Sequence, residues 1–351
     1  MLAAVFSVGD VAILEGNAGI QHAAVVVSLS EPHGNNVTVK YSTGNGTATA
    51  GSDYSAASGK LTFAKGQMSK TILVPVIGDR TTELDETFFV NLRNAKGAKI
   101  ANRQAVVTIM DNEPRISISD VPGSEANSGT TPFAFTVSLS SAYDMPVTVN
   151  YTTTDDSAKA GTDYAATSGS VVFAPGDTSK TIPVLVSGNR TPDANKSFSV
   201  NVSTPNSYAE ISKGVGVGTI IDNEPRISIA DAYNYGESSF TFTVSLSAAY
   251  DQAVTVNFAT ANGTAIAGID YVATSGTLTF ASGETTKTVT VAVLDPTAVD
   301  KSFSVHLSGV SANALITNEW ASGYWYYDYG YYDWPSDTAP YYDPYNNYGQ
   351  G

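Results

Sequence analysis

At 351 residues the chain is long enough for two or three domains. Its formal charge of −15 argues against nucleic acid as a partner, because phosphate binding needs clustered Lys and Arg, and suits cations, solubility or an extracellular setting. Disulfides, thiolate zinc sites and thiol catalysis are excluded by the absence of cysteine, and no apolar run approaches the roughly 18 residues of a membrane helix.

The opening MLAAVFSVGDVAILEG lacks the basic start and long apolar stretch of a secretory signal. It reads as a first strand. VVVSLS, ending at Ser30, and NNVTVKYST follow; in the latter Val37, Val39 and Tyr41 alternate with Thr38, Lys40 and Ser42. Next comes GTATAGSDYSAASGKLTF (Gly46–Phe63), then the alternating KTILVPVI, then DETFFVNL from Asp85, then the last strand AVVTIMD. The phrase DNEPRISI begins at Asp111 and returns unchanged at Asp222.

The other phrases recur as well. Asp-Tyr falls at Asp53, Asp163 and Asp270, and FTVSLS ends at Ser140 and Ser247. A period near 110 residues is the size of a whole sandwich. About seven short alternating runs per copy, separated by Gly, Asn, Asp and Pro turns, predict an all-β chain of three tandem antiparallel β-sandwiches, immunoglobulin-like in style. The expected divisions are 1–113, 114–224, 225–328 and an aromatic tail over 329–351. Only Asn112, Glu113 and Pro114 separate a last strand from the next first strand, and Pro114 and Pro225 fix φ there, so a stiff rod is expected.

From Trp320 the composition changes. Ten of the 20 tyrosines and all three tryptophans lie beyond this point, and no Lys or Arg follows Lys301. At the place of AVVTIMD and GVGTIID the third copy offers GYWYYD, which would set Asp328 where Asp111 and Asp222 stand. Two arrangements stay open: an aromatic last strand with a free tail, or a gap filled by a strand from a neighbouring molecule. Tyr and Trp give large contact area with a polar tip. Trp320, Tyr324, Trp325, Tyr326, Tyr327, Tyr331, Tyr332, Trp334, Tyr341 and Tyr342 are therefore expected to form a self-assembly surface.

These phrases, GTATAGSDY, TELDETF and VTIMDNE above all, resemble the Calx-β domain, the sandwich of sodium–calcium exchanger regulatory regions and of many bacterial surface proteins. The resemblance reaches to about residue 315. It implies calcium ligands on loops at one pole. The first copy matches that pattern at Glu15, Asp53, Asp79, Glu83, Glu86, Asp111 and Glu113. Calcium takes six to eight oxygens, and carboxylates without a cation would repel one another. The second copy keeps Glu125, Asp163, Asp193, Asp222 and Glu224, but Asn189 and Lys196 replace Asp79 and Glu86. The third keeps Glu237 and Asp270, has Lys301 in place of the acid, and has Asp295 and Asp300 as its nearest loop acids. Calcium binding is thus expected to be best in copy one, weaker in copy two and least in copy three. For Asp53, Asp163 and Asp270 a turn-capping role stands beside ligation.

No nucleophile elbow, phosphate loop or metal-spaced histidine occurs, so no enzyme is expected. The expected function is an extracellular, cell-surface structural or adhesive protein. In this reading a calcium-stiffened rod polymerises head to tail with itself, with cell-surface components as further partners. The alternatives are a calcium-sensing regulatory module of a larger protein and a carbohydrate-binding module. The last ranks below the others because the aromatics are not expected to spread over one sheet face.

Overall fold

A computed structural model describes residues 4–298 and 300–326. The first sandwich has β1 (Val5–Val8), β2 (Val11–Leu14), β3 (Gly19–Leu29), β4 (Val37–Asn45), β5 (Ser58–Phe63), β6 (Ser69–Gly78), β7 (Glu86–Lys96), β8 (Lys99–Ile100) and β9 (Gln104–Met110). The second has β10 (Arg115–Ile118), β11 (Val121–Ser124), β12 (Thr130–Leu139), β13 (Val147–Asp155), β14 (Ser168–Phe173), β15 (Ser179–Ser187), β16 (Lys196–Ser203), β17 (Glu210–Lys213) and β18 (Val215–Ile221). The third has β19 (Arg226–Ile229), β20 (Ala232–Asn234), β21 (Ser239–Leu246), β22 (Val254–Asn262), β23 (Ser275–Phe280), β24 (Thr286–Ala292), β25 (Ser302–Ser308), β26 (Leu315–Asn318) and β27 (Trp320–Trp325). Among the described residues there is no helix.

Each sandwich pairs a four-stranded with a five-stranded sheet, in the orders β6-β3-β1-β8 and β2-β9-β7-β4-β5 in the first. Nine strands stand where about seven were expected. The opening run breaks at Gly9-Asp10, so that β1 lies in one sheet and β2 in the other, and Asp10 Oδ1 accepts from Val106 N at 2.8 Å. Both edge pairs made this way, β1 with β8 and β2 with β9, are parallel. The rest of the ladder is antiparallel.

The alternation has the expected consequence. On β3, Ala23, Val25, Val27 and Leu29 face inward and their neighbours outward. The tyrosine of the repeated Asp-Tyr is a core residue in every copy. Tyr54, Tyr164 and Tyr271 are fully buried, stack on Phe88, Phe198 and Phe303, and donate to Asn45, Asp155 and Asn262. A buried ring whose hydroxyl must find an acceptor accounts for the pairing of that tyrosine with the last residue of a strand, nine positions earlier.

The described chain forms two compact units. The first holds everything before Asn189 together with Asn195–Ile221, and so contains both the first and the second sandwich. The second holds Asn189–Ala194 and the chain from Asp222. In the second unit β27 pairs antiparallel with β25 and parallel with β20, so the chain itself supplies the strand that a neighbouring molecule would otherwise have lent. Trp325 lies inside, edge-on to Phe240 and Phe303 at 4.6 and 5.6 Å, and is no part of an assembly surface. Trp320, Tyr324 and Tyr326 point outward from one sheet face, contrary to the expectation that the aromatics would not share one. Tyr327, Asp328, Tyr331, Tyr332, Trp334, Tyr341 and Tyr342 lie outside the described residues.

Candidate metal centre

The seven acids expected in the first copy come from four separate stretches, and the sandwich brings them to one pole. Glu15 follows β2, and Asp111 and Glu113 follow β9. Because these strands are paired neighbours, Glu15 N donates to Met110 O at 3.0 Å and the acids after each strand emerge side by side. One carboxylate oxygen from each of Glu15, Asp111 and Glu113 lies within 4.8 Å of the others. A second trio, Asp53, Glu83 and Glu86, satisfies the same condition. Asp79 borders the first trio through its backbone N, which donates to Glu15 Oε1 at 3.2 Å.

The electrostatics are those of acids held together against their repulsion. Burial, then Asp79, pushes the Glu15 carboxyl up from its ordinary 4.5 to about 7. Burial, then the neighbouring Asp111, takes Glu113 to about 7, and burial, then Asp53, does the same for Glu86. Glu83 is raised too, by burial and by Asp79, Asp53 and Asp111 in turn, which links the two trios into one field.

Much of the acids' bonding capacity is committed locally. Asp111 Oδ1 accepts from Glu83 N at 3.0 Å, and Asp79 Oδ1 accepts from Thr81 N at 2.6 Å. Glu113 differs: it is 3% exposed, its Oε1 accepts from the Tyr143 hydroxyl at 3.3 Å, and its Oε2 is buried with no hydrogen-bond partner. A buried carboxylate oxygen left unpaired costs folding free energy unless something positive meets it. The donor set is oxygen alone, with no imidazole or thiolate, and oxygens this close can surround one hard cation at its usual 2.3–2.6 Å. The residues therefore fit calcium.

The other copies show what the Asp-Tyr aspartate does when a cation is built in. Its Oδ2 caps its own turn in all three, accepting from Thr49 N, Lys159 N and Ile266 N at 2.6, 2.7 and 2.8 Å. In the second copy Asp163 Oδ1 takes Lys196 Nζ at 2.9 Å, and in the third Asp270 Oδ1 takes Lys301 Nζ at 2.5 Å. Both lysines hold the position of Glu86. Turn capping, one of the two roles expected for this residue, is thus present in all three copies, and in the second and third the other oxygen faces an ammonium.

The remaining expected residues distribute as follows. Glu125 is buried after β11, and its N donates to Ile221 O. In the second unit Asp222 Oδ1 accepts from Asp193 N at 2.6 Å and Oδ2 pairs with Arg226 at 2.7 Å, while Glu224 Oε1 accepts from the Tyr250 hydroxyl at 3.3 Å. In the third copy Asp295 caps Thr297, and Glu237 is one position out of step. Asp10, Asp120 and Asp231 occupy one place, each accepting a backbone N–H of the last strand. Five residues on come Glu15, Glu125 and Gly236. Among the described residues no acid trio gathers in the third sandwich.

Sequence reasoning missed the basic and aromatic surround. Arg80 forms a two-pronged pair with Asp144 at 2.9 Å per prong and donates to the Tyr143 hydroxyl at 3.0 Å, within the first unit. Arg190, Tyr250 and Asp251 repeat the arrangement within the second. Arg115 reaches Glu83 O and Asp111 Oδ2. The signal was present: Arg115 and Arg226 lie inside the repeated DNEPRISI, and Ala-Tyr-Asp recurs at Tyr143 and Tyr250.

The profile of the Calx-beta domain matches residues 6–113, 120–232 and 221–319. Sodium/calcium exchanger 1 of Canis lupus familiaris is 28% identical over 227 residues, covering 59% of this chain and 23% of the exchanger. Adhesion G-protein coupled receptor V1 of Danio rerio is 30% identical over 193 residues, covering 53% of this chain and 3% of the receptor. The chain thus spans less than a quarter of either relative. Among solved structures, calcium binding domain CBD12 of CALX1.1 aligns with a TM-score of 0.41 and 22% identity, over 61% of this chain and 99% of that one.

Proposed function

The chain belongs to the Calx-beta domain family, and on that premise we propose that it is a calcium-sensing regulatory module whose ion-binding part is the first sandwich. Glu15, Asp111 and Glu113 would hold one ion, and Asp53, Glu83 and Glu86 a second, with Asp79 alongside. Bound calcium supplies positive charge and open coordination positions for oxygen. The residues supply the rest: Glu113 offers an unpaired oxygen, Asp53 orients its other oxygen by fixing Oδ2 in the turn, and Glu83 spans the two groups. The observation that carries the reading is the buried, partnerless Oε2 of Glu113, a residue whose carboxylate also has an oxygen within 4.8 Å of those of Glu15 and Asp111.

The third sandwich has an internal ammonium in place of an ion, and Lys196 plays that part in the second. The reading therefore assigns calcium response mainly to the first sandwich. The expected head-to-tail polymer rests on the aromatics from Trp320 onward, of which those from Tyr327 lie outside the described residues, and forms no part of the proposal. Isothermal titration of the full chain with calcium chloride, after chelation, tests it. Heat of binding should be strongly reduced in Glu113→Gln and Asp53→Asn. Wild-type heat in both variants would remove the reading.

A further inference from the structure

The outer face of the five-stranded sheet in the second unit carries aromatic residues that the fold does not require. Register assigns the counterparts. Tyr324 stands where the other sandwiches have Thr108 and Thr219, and Tyr233 where they have Ala12 and Pro122. Trp320 replaces Gln104 and Val215. Since two copies close the same sheet without them, packing does not account for the rings.

They are also exposed, from 37% for Tyr324 to 61% for Tyr235, with Trp320 at 48%. Large rings held at this exposure mark an interaction surface. Nor are they loose. Tyr233 stacks on Tyr324 at 5.7 Å and 18°, Tyr235 on Tyr326 at 5.7 Å and 26°, and Trp320 on His306 at 4.1 Å and 28°. Rings braced against one another have given up their freedom before any partner arrives, which lowers the entropy cost of binding.

Between these two aromatic walls the outward side chains are small. Ser322 lies between Trp320 and Tyr324 on β27, Ser304 is its cross-strand neighbour, and Ala261 is the next across. Four residues along a strand span roughly 13 Å, so the walls frame a shallow trough running across the strands, wide enough for one ring or one extended chain.

Charge selects the occupant. No Lys or Arg points outward from β20, β25 or β27, which disfavours phosphate-bearing partners. The polar groups around the trough are uncharged hydroxyls, of Ser304, Ser322 and the tyrosines, and two carboxylates: Asp231, whose Oδ1 takes Ser322 N at 2.7 Å, and Glu319, whose Oε1 takes the Trp320 indole N–H at 3.2 Å. A suitable ligand presents flat apolar C–H faces to the rings and hydroxyl donors to the rim, without negative charge. That description is a sugar chain. We infer that the trough between Trp320 and Tyr324 binds a neutral polysaccharide, laid across β27 and β25.

The test is native affinity electrophoresis of the full chain in gels containing hydroxyethylcellulose, galactomannan or dextran, repeated for Trp320→Ala and Tyr324→Ala. Circular dichroism confirms that each variant folds. At least one polysaccharide should retard the wild type, and either substitution should weaken that retardation by about tenfold, the loss expected of an anchoring aromatic. Glu113→Gln should bind as wild type does. Three results would overturn the inference. One is no retardation by any of the three. Another is retardation unchanged in both folded variants. The third is sedimentation showing that the variants lose self-association or binding to polylysine instead, which would assign the face to a second copy or to a cationic protein.

Discussion

Glu15→Gln gives a response of opposite sign with and without calcium. Glu15 is 6% exposed, and its carboxyl sits at about 7 against an ordinary 4.5. The folded-state value is the higher one, so the folded protein binds the proton more tightly than the unfolded chain does. Stability from this group is full below pH 4.5 and is lost as pH rises through about 7. The loss amounts to about 3 kcal/mol at pH 8, an upper figure because neighbouring acids readjust. Glutamine keeps the acceptor for Asp79 N and removes the charge. In EDTA at pH 8 the variant should melt above the wild type, by up to roughly 5–10 °C for a unit of this size. At pH 4 the two should coincide. With calcium the order should reverse, because a wild type at a thousand times its Kd gains about 4.1 kcal/mol that the variant largely forfeits. Differential scanning calorimetry in the four conditions is the assay. A variant that melts below the wild type in EDTA at pH 8, or that keeps the full calcium shift, would refute the account of strained, ion-seeking carboxylates.

Other expectations follow from the same contacts. Lys301→Met strands the Asp270 carboxylate, which is 1% exposed, and should cost about 2 kcal/mol, short of a fully buried pair because the lysine is part-exposed. Lys301 holds the Asp270 carboxyl below its ordinary value, so that difference should persist at neutral pH and vanish on acidification, as urea melts at several pH values would record. Gly323→Ala puts a methyl 2.6 Å from Phe303 Cε1 and 3.0 Å from Phe242 Cζ, and should cost roughly 1–3 kcal/mol in the same melts. Arg80→Ala removes an exposed ion pair, so its effect on Tm should be smaller than that of Glu15→Gln and should shrink further in high salt.

The sandwich architecture was legible because its determinants are local. Strict alternation in stretches such as VTVKY separates core from surface without knowledge of the partner strand, and Gly, Asn and Asp mark the turns. The shared pole of the acids was legible only through the family resemblance; the structure gives its cause, since acids placed just after β2 and β9, or in the loop before β7, emerge at one end once the strands pair. The split of the opening strand was not legible, because the break at Gly9-Asp10 is set by Asp10 bonding to Val106, almost a hundred residues away.

Residue types and their spacing therefore settled the fold class and, through the family resemblance, the location of the charge. Pairing and side-chain direction settled the chemistry. Register moved Glu237 one place off the position of Glu15 and turned Trp325 inward while Tyr324 faces out. Packing left one oxygen of Glu113 without a partner and gave Asp163 and Asp270 an ammonium each. Such outcomes depend on strands brought together across long stretches of chain, where a shift of one residue sends a side chain to the opposite face.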